Sequence, residues 1–425
     1  MNRSLITLLA AGVACLAILA LSLVVAPPDQ ESIAETVLTI LTERSFDTSL
    51  GEFDWDEIFE SHAEALSAVS SEQELAEVLH EILIQANVSH LMYLPSEPDP
   101  LFERSFADGG IGIDLRWLDD RAIVTRVKGG SPAAGAGIAP GWELRSIDGV
   151  AVADIAGRTA AYRFPPMNDR KLDADIASDI LAATFGVPGE EVALVFETPT
   201  GEQEFTVFRA MRPHKSGVAE ELPPLFLEYE ARSLEDGIGY IRFNAFAPAL
   251  LDWIQDALDD LIDAPGLVID LRGNSGGVFE VRKPLMDRLI GKRELIAFYQ
   301  FRDENVMIYS DPVDGRYWGD LVVLVDEASA SAAEEVAGGL QAIGRATIVG
   351  NRTQGSALIA DWAELPNGAT LVYPIGVSRV YGGAILEGEG VTPDLEVALD
   401  PGKLLEGTDS QLEAALDHLR GDDRS

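Results

Sequence analysis

The sequence predicts a multidomain protein of mixed α/β and α+β class: an N-terminal membrane helix, a small helical segment, a β-rich unit, and an α/β core on a largely parallel sheet. Three observations predict this. An uncharged apolar run opens the chain. The hydrophobic spacing is helical over residues 31–95 and then breaks into short β-like runs separated by glycines over 106–210. Over 235–402 it alternates strand and helix. With 425 residues, 47% of them apolar, there is material for two or three cores.

The first element is Leu5–Ala26, 22 residues without a charge, enough to cross a bilayer core. Arg3 precedes it and acidic residues follow, so the rest of the chain is expected outside the cytoplasm. The competing reading is a signal peptide cut near Ala26, which gives a secreted product. The only cysteine, Cys15, lies in this run, so no disulfide or thiolate metal site is expected beyond it. The five histidines are scattered, and neither a metal nor a cofactor is expected. The charge balance, 31 basic against 71 acidic side chains, argues against nucleic acid and anionic lipid headgroups as partners.

The helical segment, residues 28–100, contains "ESIAETVLTILTE", "DWDEIFESHAEAL" and "SEQELAEVLHEILIQA", the last two opening on a polar cap residue. It ends in "VSHLMYLP", which carries Ser89 and His90. Taken alone, His90 reads as an ordinary histidine near a helix end. Next come the β-like runs "GGIGIDLRW", "RAIVTRV" and "EVALVF". Residues 101–212 resemble a PDZ domain of the kind fused to bacterial proteases. The likeness rests on Gly110-Ile111-Gly112-Ile113, Gly130-Ser131-Pro132-Ala133-Ala134, Pro140-Gly141 and Ile147-Asp148-Gly149. A Gly-Ile-Gly-Ile loop can aim successive backbone N–H groups at a terminal carboxylate while the peptide joins a sheet edge. Residues Gly110, Ile111, Gly112 and Ile113 are therefore the expected peptide-binding loop. The alternative is a PDZ fold that only packs or gates.

In residues 213–405, "GIGYIRFNAF", "GLVIDLRG", "DLVVLVDE" and "ATIVG" read as strands, with helices between them. Right-handed crossovers then make the sheet largely parallel, and ligands gather at the carboxyl ends of its strands. Two motifs lie there. "VIDLRGNSGG" ends a buried strand in a glycine turn, where Gly276 and Gly277 can present oxyanion-binding N–H groups. It reads equally as a strand-to-helix turn with an Asp–Arg tie. "VLVDEASASAAEEVAGGL" puts Ser331 at a helix start. Ser331-Ala-Ala-Glu334 fits a capping box, and it also fits a nucleophile whose oxyanion would meet the Ala332 N–H. Residues 406–425 are expected to form a C-terminal tail.

The two motifs, about 55 residues apart, together with "GNRTQG" and "EGEGVTPD", resemble the C-terminal processing (tail-specific) serine peptidases. That resemblance implies Ser331 as nucleophile. It also exposes a departure. Where the Ser/Lys members carry a lysine base, this chain has Ser356, and no lysine lies between Lys292 and Lys403. The tricorn-type branch instead takes its base from a Ser-His pair before the PDZ domain, the place of Ser89-His90. In that branch a glutamate acts through the paired serine, a position matched by Glu387, with Glu389 as the alternative register. The resemblance thus implies Ser331 as nucleophile, His90 as base, Ser89 as relay and Glu387 as orienter. It implies an endopeptidase for peptides or proteins with a free C-terminus, which the apolar run would anchor in the membrane with its site outside the cytoplasm. The alternative is an inactive pseudo-protease that binds peptides.

Overall fold

The computed structural model describes residues 29–46, 54–97, 100–163, 167–217 and 224–421. The expected membrane segment Leu5–Ala26 lies outside them. Among the described residues no helix is long and apolar enough to cross a membrane.

The helical segment forms as its caps require. Asp29, Asp54 and Ser71 each accept a backbone N–H from the first turn of helices Gln30–Glu43, Trp55–Ser61 and Glu72–Leu83. Its apolar face does not close on itself. Ile33, Val37, Leu75, Leu79 and Ile82 share one core with Tyr93, Leu365, Leu371 and Tyr373. Strand Met92–Leu94 pairs antiparallel with the start of strand Thr370–Val380, which fixes the Ser89-His90 corner to a distant part of the chain. The segment expected to stand as a separate unit is thereby built onto the C-terminal region.

Residues 109–211 form an antiparallel sheet in the order Ile113–Leu118, Arg121–Val127, Glu143–Ile147, Glu191–Thr198, Gly201–Phe208. It has its own core around Leu115, Val124, Leu144, Ile180 and Phe196. Ile113–Leu118 is an edge strand, and helix Asp169–Ala183 packs beside it.

The remaining chain holds a six-stranded sheet in the order Tyr229–Ser233, Gly239–Phe243, Gly266–Asp270, Asp320–Val325, Thr347–Gly350, Leu395–Glu396. Only the first pair is antiparallel. Helices Leu251–Asp260, Phe279–Ile290 and Ala332–Ala342 contribute to the core on one face. Helix Ser410–Arg420 covers the other through Leu412, Ala415 and Leu419 against Val268, Val322 and Val349. This corrects the expected tail: much of it is a layer of the fold. A second correction concerns the sheet. Strands Glu294–Phe301, Asn305–Ser310, Leu358–Glu364 and Thr370–Val380 build a separate antiparallel sheet, which the strand–helix alternation did not reveal.

A buried ionic seam joins the layers. Asp114 meets Arg126 at 2.8 Å and Arg242 at 3.0 Å, and Asp270 meets Arg272 at 2.7 Å. Arg272 continues to Asp409 at 2.8 Å. The Asp–Arg tie expected in "DLRG" is therefore present, and it extends into the 109–211 unit and the C-terminal helix.

Candidate active site

Strand Asp320–Val325 delivers its chain to the loop that carries Ser331. The loop is sewn to the glycine turn. Asp326 Oδ1 accepts the Gly273 N–H at 2.9 Å, Ser329 Oγ donates to Leu271 O at 2.8 Å, and the Ala330 N–H reaches Asn274 O at 2.9 Å. From the 109–211 unit, Arg116 Nε donates to Asp326 Oδ2 at 2.6 Å. Ser331 itself has φ 54° and ψ −119°, outside the regions favoured by residues other than glycine. Such a conformation costs on the order of 1–3 kcal/mol and persists only where its surroundings impose it.

Two acceptors help impose it. The Ser331 N–H donates to Ser356 O at 2.8 Å and to Glu334 Oε2 at 3.1 Å. Glu334 is fully buried and also accepts Thr353 Oγ1 at 2.6 Å, the Gly355 N–H at 2.7 Å and the Ser356 N–H at 2.8 Å. The glutamate of the capping pattern thus clamps the Ser331 loop to the "GNRTQG" turn. Burial pushes its carboxyl up to about 7, against the pull of those four donors. Sequence reasoning named Glu334 only as a cap. The Thr–Gly of the following motif was the available signal for its second role.

Ser89, His90 and Glu387 form one hydrogen-bonded set. The Ser89 N–H donates to Glu387 Oε1 at 2.7 Å, Ser89 Oγ donates to Glu387 Oε2 at 2.8 Å, and Ser89 Oγ lies 2.7 Å from His90 Nδ1. A hydroxyl has one proton to give. With that proton directed at Glu387, Ser89 accepts from an Nδ1–H, which leaves Nε2 without a proton in the neutral ring. Burial, and then the charge of Lys171, lowers the imidazole to about 4, so it is neutral near pH 7. Burial raises the Glu387 carboxyl, while the Ser89 and Ala357 amides pull it down.

The same turn reaches both halves of the site. Ser356 O receives the Ser331 N–H, and the next residue's N–H, that of Ala357, donates to Glu387 Oε2 at 2.8 Å. The structure thus brings Ser89, His90 and Glu387 into contact and puts Ser331 on the neighbouring residue of the same turn. Among the described residues no hydrogen bond joins His90 to Ser331.

The expected oxyanion donors divide. A Cβ on Gly276 would lie 2.6 Å from Ser331 Cβ, so only glycine lets this turn approach the serine. Its N–H, however, donates to Asn274 Oδ1 at 2.9 Å. That corrects its expected role from donor to close-approach residue. The N–H groups of Gly277 and Ala332 have no acceptor among the described residues.

In the expected peptide loop, Gly110 pairs with Ala210 in a short two-stranded ladder. Ile111 O and Gly112 O receive the N–H groups of Ala133 and Lys128. Gly112 has φ 81°, and a Cβ there would lie 2.3 Å from Ser131 Cβ. Ile113 opens the edge strand.

Residues 237–397 match the family described as Peptidase family S41, a family of serine-type hydrolases. A carboxyl-terminal-processing protease of Picosynechococcus sp. is 31% identical over 298 residues, 69% of this chain and 65% of that protein. The chain therefore spans just under two thirds of that relative's length. Among solved structures, a photosystem II D1 C-terminal processing protease aligns with a TM-score of 0.58 and 20% identity, covering 90% of this chain and 99% of that one. The tricorn protease aligns with a TM-score of 0.50 and 18% identity, covering 93% of this chain and 37% of that one. These structures share the mixed α/β fold.

Proposed function

We propose that this chain, whose residues 237–397 are of peptidase family S41 and which is homologous to carboxyl-terminal-processing proteases, is a serine endopeptidase with Ser331 as nucleophile and His90 as base. The observation that carries the reading is the Glu387–Ser89–His90 set, in which one hydroxyl proton fixes the tautomer. His90 Nε2 would take the Ser331 proton as Oγ attacks the scissile carbonyl, then return it to the leaving amine. The Ala332 and Gly277 amides would hold the oxyanion. Ser331's strained backbone, pinned from both sides, supports the assignment, because such strain gathers at functional residues. Ser356 occupies the place of the lysine base of the Ser/Lys branch, and we assign the chain to the Ser-His branch.

The substrate is a peptide or unfolded protein segment with a free C-terminus. Residues 101–212 act as a PDZ domain, with the peptide added to edge strand Ile113–Leu118 and its carboxylate at the Ile111–Ile113 amides. Leu5–Ala26 anchors the protein, and the site works outside the cytoplasm. The test is labelling by a fluorophosphonate probe alongside turnover of an unfolded protein. We expect both in the parent chain and neither in Ser331→Ala. A second reading, a peptide-binding pseudo-protease, draws on the missing His90–Ser331 hydrogen bond, although such bonds often tighten only with substrate. Peptide binding without labelling or turnover would establish that reading instead.

A further inference from the structure

We propose that Arg170, in the first turn of the helix beside the edge strand, is a positioning residue for the His90–Glu387 set. The proposal rests on the hydrolytic reading above. Arg170 Nε donates to Thr353 O at 2.7 Å, and its Nη2 donates to Gly388 O at 3.1 Å and Glu389 O at 2.9 Å. The N-cap of the same helix, Asn168, donates from Nδ2 to Gln354 O at 3.0 Å. All four carbonyls belong to two turns. One holds Glu334 and Glu387 through its amides, and the other contains Glu387. The turns also touch directly, the Gly388 N–H donating to Gly355 O at 2.8 Å. A guanidinium presents donors in a fixed fork, so a single side chain can tie three carbonyls that a point-like ammonium cannot reach together.

The helix is rigidly based. Ile176 and Ile180 sit in the core of the 109–211 unit, so the fork is held by a layer that contains none of the acid, base or nucleophile. Lys171, the next residue, contributes the charge that joins burial in lowering the His90 imidazole. One helical turn therefore sets both the place of the carboxylate and the field at the base. Loosening the fork lets Glu387 drift from Ser89 and frees His90 to exchange tautomers.

The test uses the full chain with Arg170→Ala and Arg170→Lys. It reads kcat and KM separately, together with the ¹⁵N spectrum of His90. We expect kcat to fall about 10-fold or more with KM within about twofold. The Nδ1–H tautomer should give way to a mixture, and lysine should rescue little. Lys171→Ala serves as the charge control: the pH at which His90 titrates should rise while its Nδ1–H tautomer is kept. Unchanged kcat, a change confined to KM, or a fall in kcat with the tautomer intact would each overturn the proposal. If Arg170→Ala fails to fold, Arg170→Lys decides by the same readouts. If the parent turns over no substrate, the hydrolytic reading fails, and the tautomer comparison still decides whether Arg170 positions His90.

Discussion

Ser331 and His90 act in the proposed reaction as a unit, and their substitution should show it. Ser331→Ala and His90→Ala should each lower kcat/KM by roughly three orders of magnitude or more, and the double variant should be scarcely worse than either. Independent, multiplying losses would separate the two residues and sink the pairing. Glu387→Gln should cost less, because it orients the imidazole only through Ser89. Gly276 tests the geometry without altering a reacting group. An alanine there would put its Cβ 2.6 Å from Ser331 Cβ and 2.9 Å from Ala330 O. We expect Gly276→Ala to lose both fluorophosphonate labelling and thermal stability. Full labelling would show that the turn does not approach the serine as closely as described.

At the scale of elements, the site is two loops tied by one carboxylate. All four partners of Glu334 are donors, so its ionised form is the one that completes the clamp. With its carboxyl at about 7, protonation releases one of those acceptors as the pH falls through neutrality. His90, lowered to about 4, still holds its basic form there. The rate should therefore show two acid limbs, one near 7 from Glu334 and one below the ordinary imidazole value of about 6.5 from His90. Glu334→Gln should abolish the upper limb, leaving a slow rate that is flat from about pH 5 to 8, and should keep the lower one. A single limb near 6.5 in both proteins would contradict this assignment.

For the whole molecule, the buried charges make stability depend on pH in two opposed ways. Burial alone would raise Asp114 and Asp270, but Arg126 and Arg242 at the first and Arg272 and Arg242 at the second hold both well below the usual carboxylate range. Their stabilisation is present above the unfolded value of about 3.9 and is lost as the pH falls toward the folded one. Glu334 and Glu387 are raised by burial, so their share is present below about 4.3 and is lost as the pH rises, for Glu334 through about 7. The urea midpoint should peak on the acid side of neutrality and decline until it levels off near pH 7, and Glu334→Gln should flatten that decline. Asp270→Asn leaves Arg242 with only Asp114 and Arg272 with only Asp409 and Gln411 around a buried positive charge, and should cost about 3 kcal/mol of unfolding free energy. A loss under about 1 kcal/mol would show that the seam does not hold the layers together.

What the sequence by itself determined was whatever neighbouring residues can encode. Alternating strands and helices specified the parallel sheet, because crossover handedness leaves few alternatives. The clustered glycines of "GNSGG" marked a backbone that must pass close to something, and the absence of lysine from 293–402 turned attention to Ser89-His90. Only the tertiary structure decided the rest. The N-terminal helices have no complete core until Leu365, Leu371 and Tyr373 supply it, and no local spacing reveals a partner so distant. The antiparallel sheet carrying Thr370–Val380 is likewise assembled from strands far apart in the chain. Glu334 looked like a helix cap because a capping box needs only two residues, whereas the clamp needs a second, distant loop to bring its donors. Gly276 looked like an oxyanion donor until Asn274, two residues earlier, proved to hold its N–H. A hydrogen bond is a matter of direction as well as proximity, and direction is settled only when the whole chain has folded.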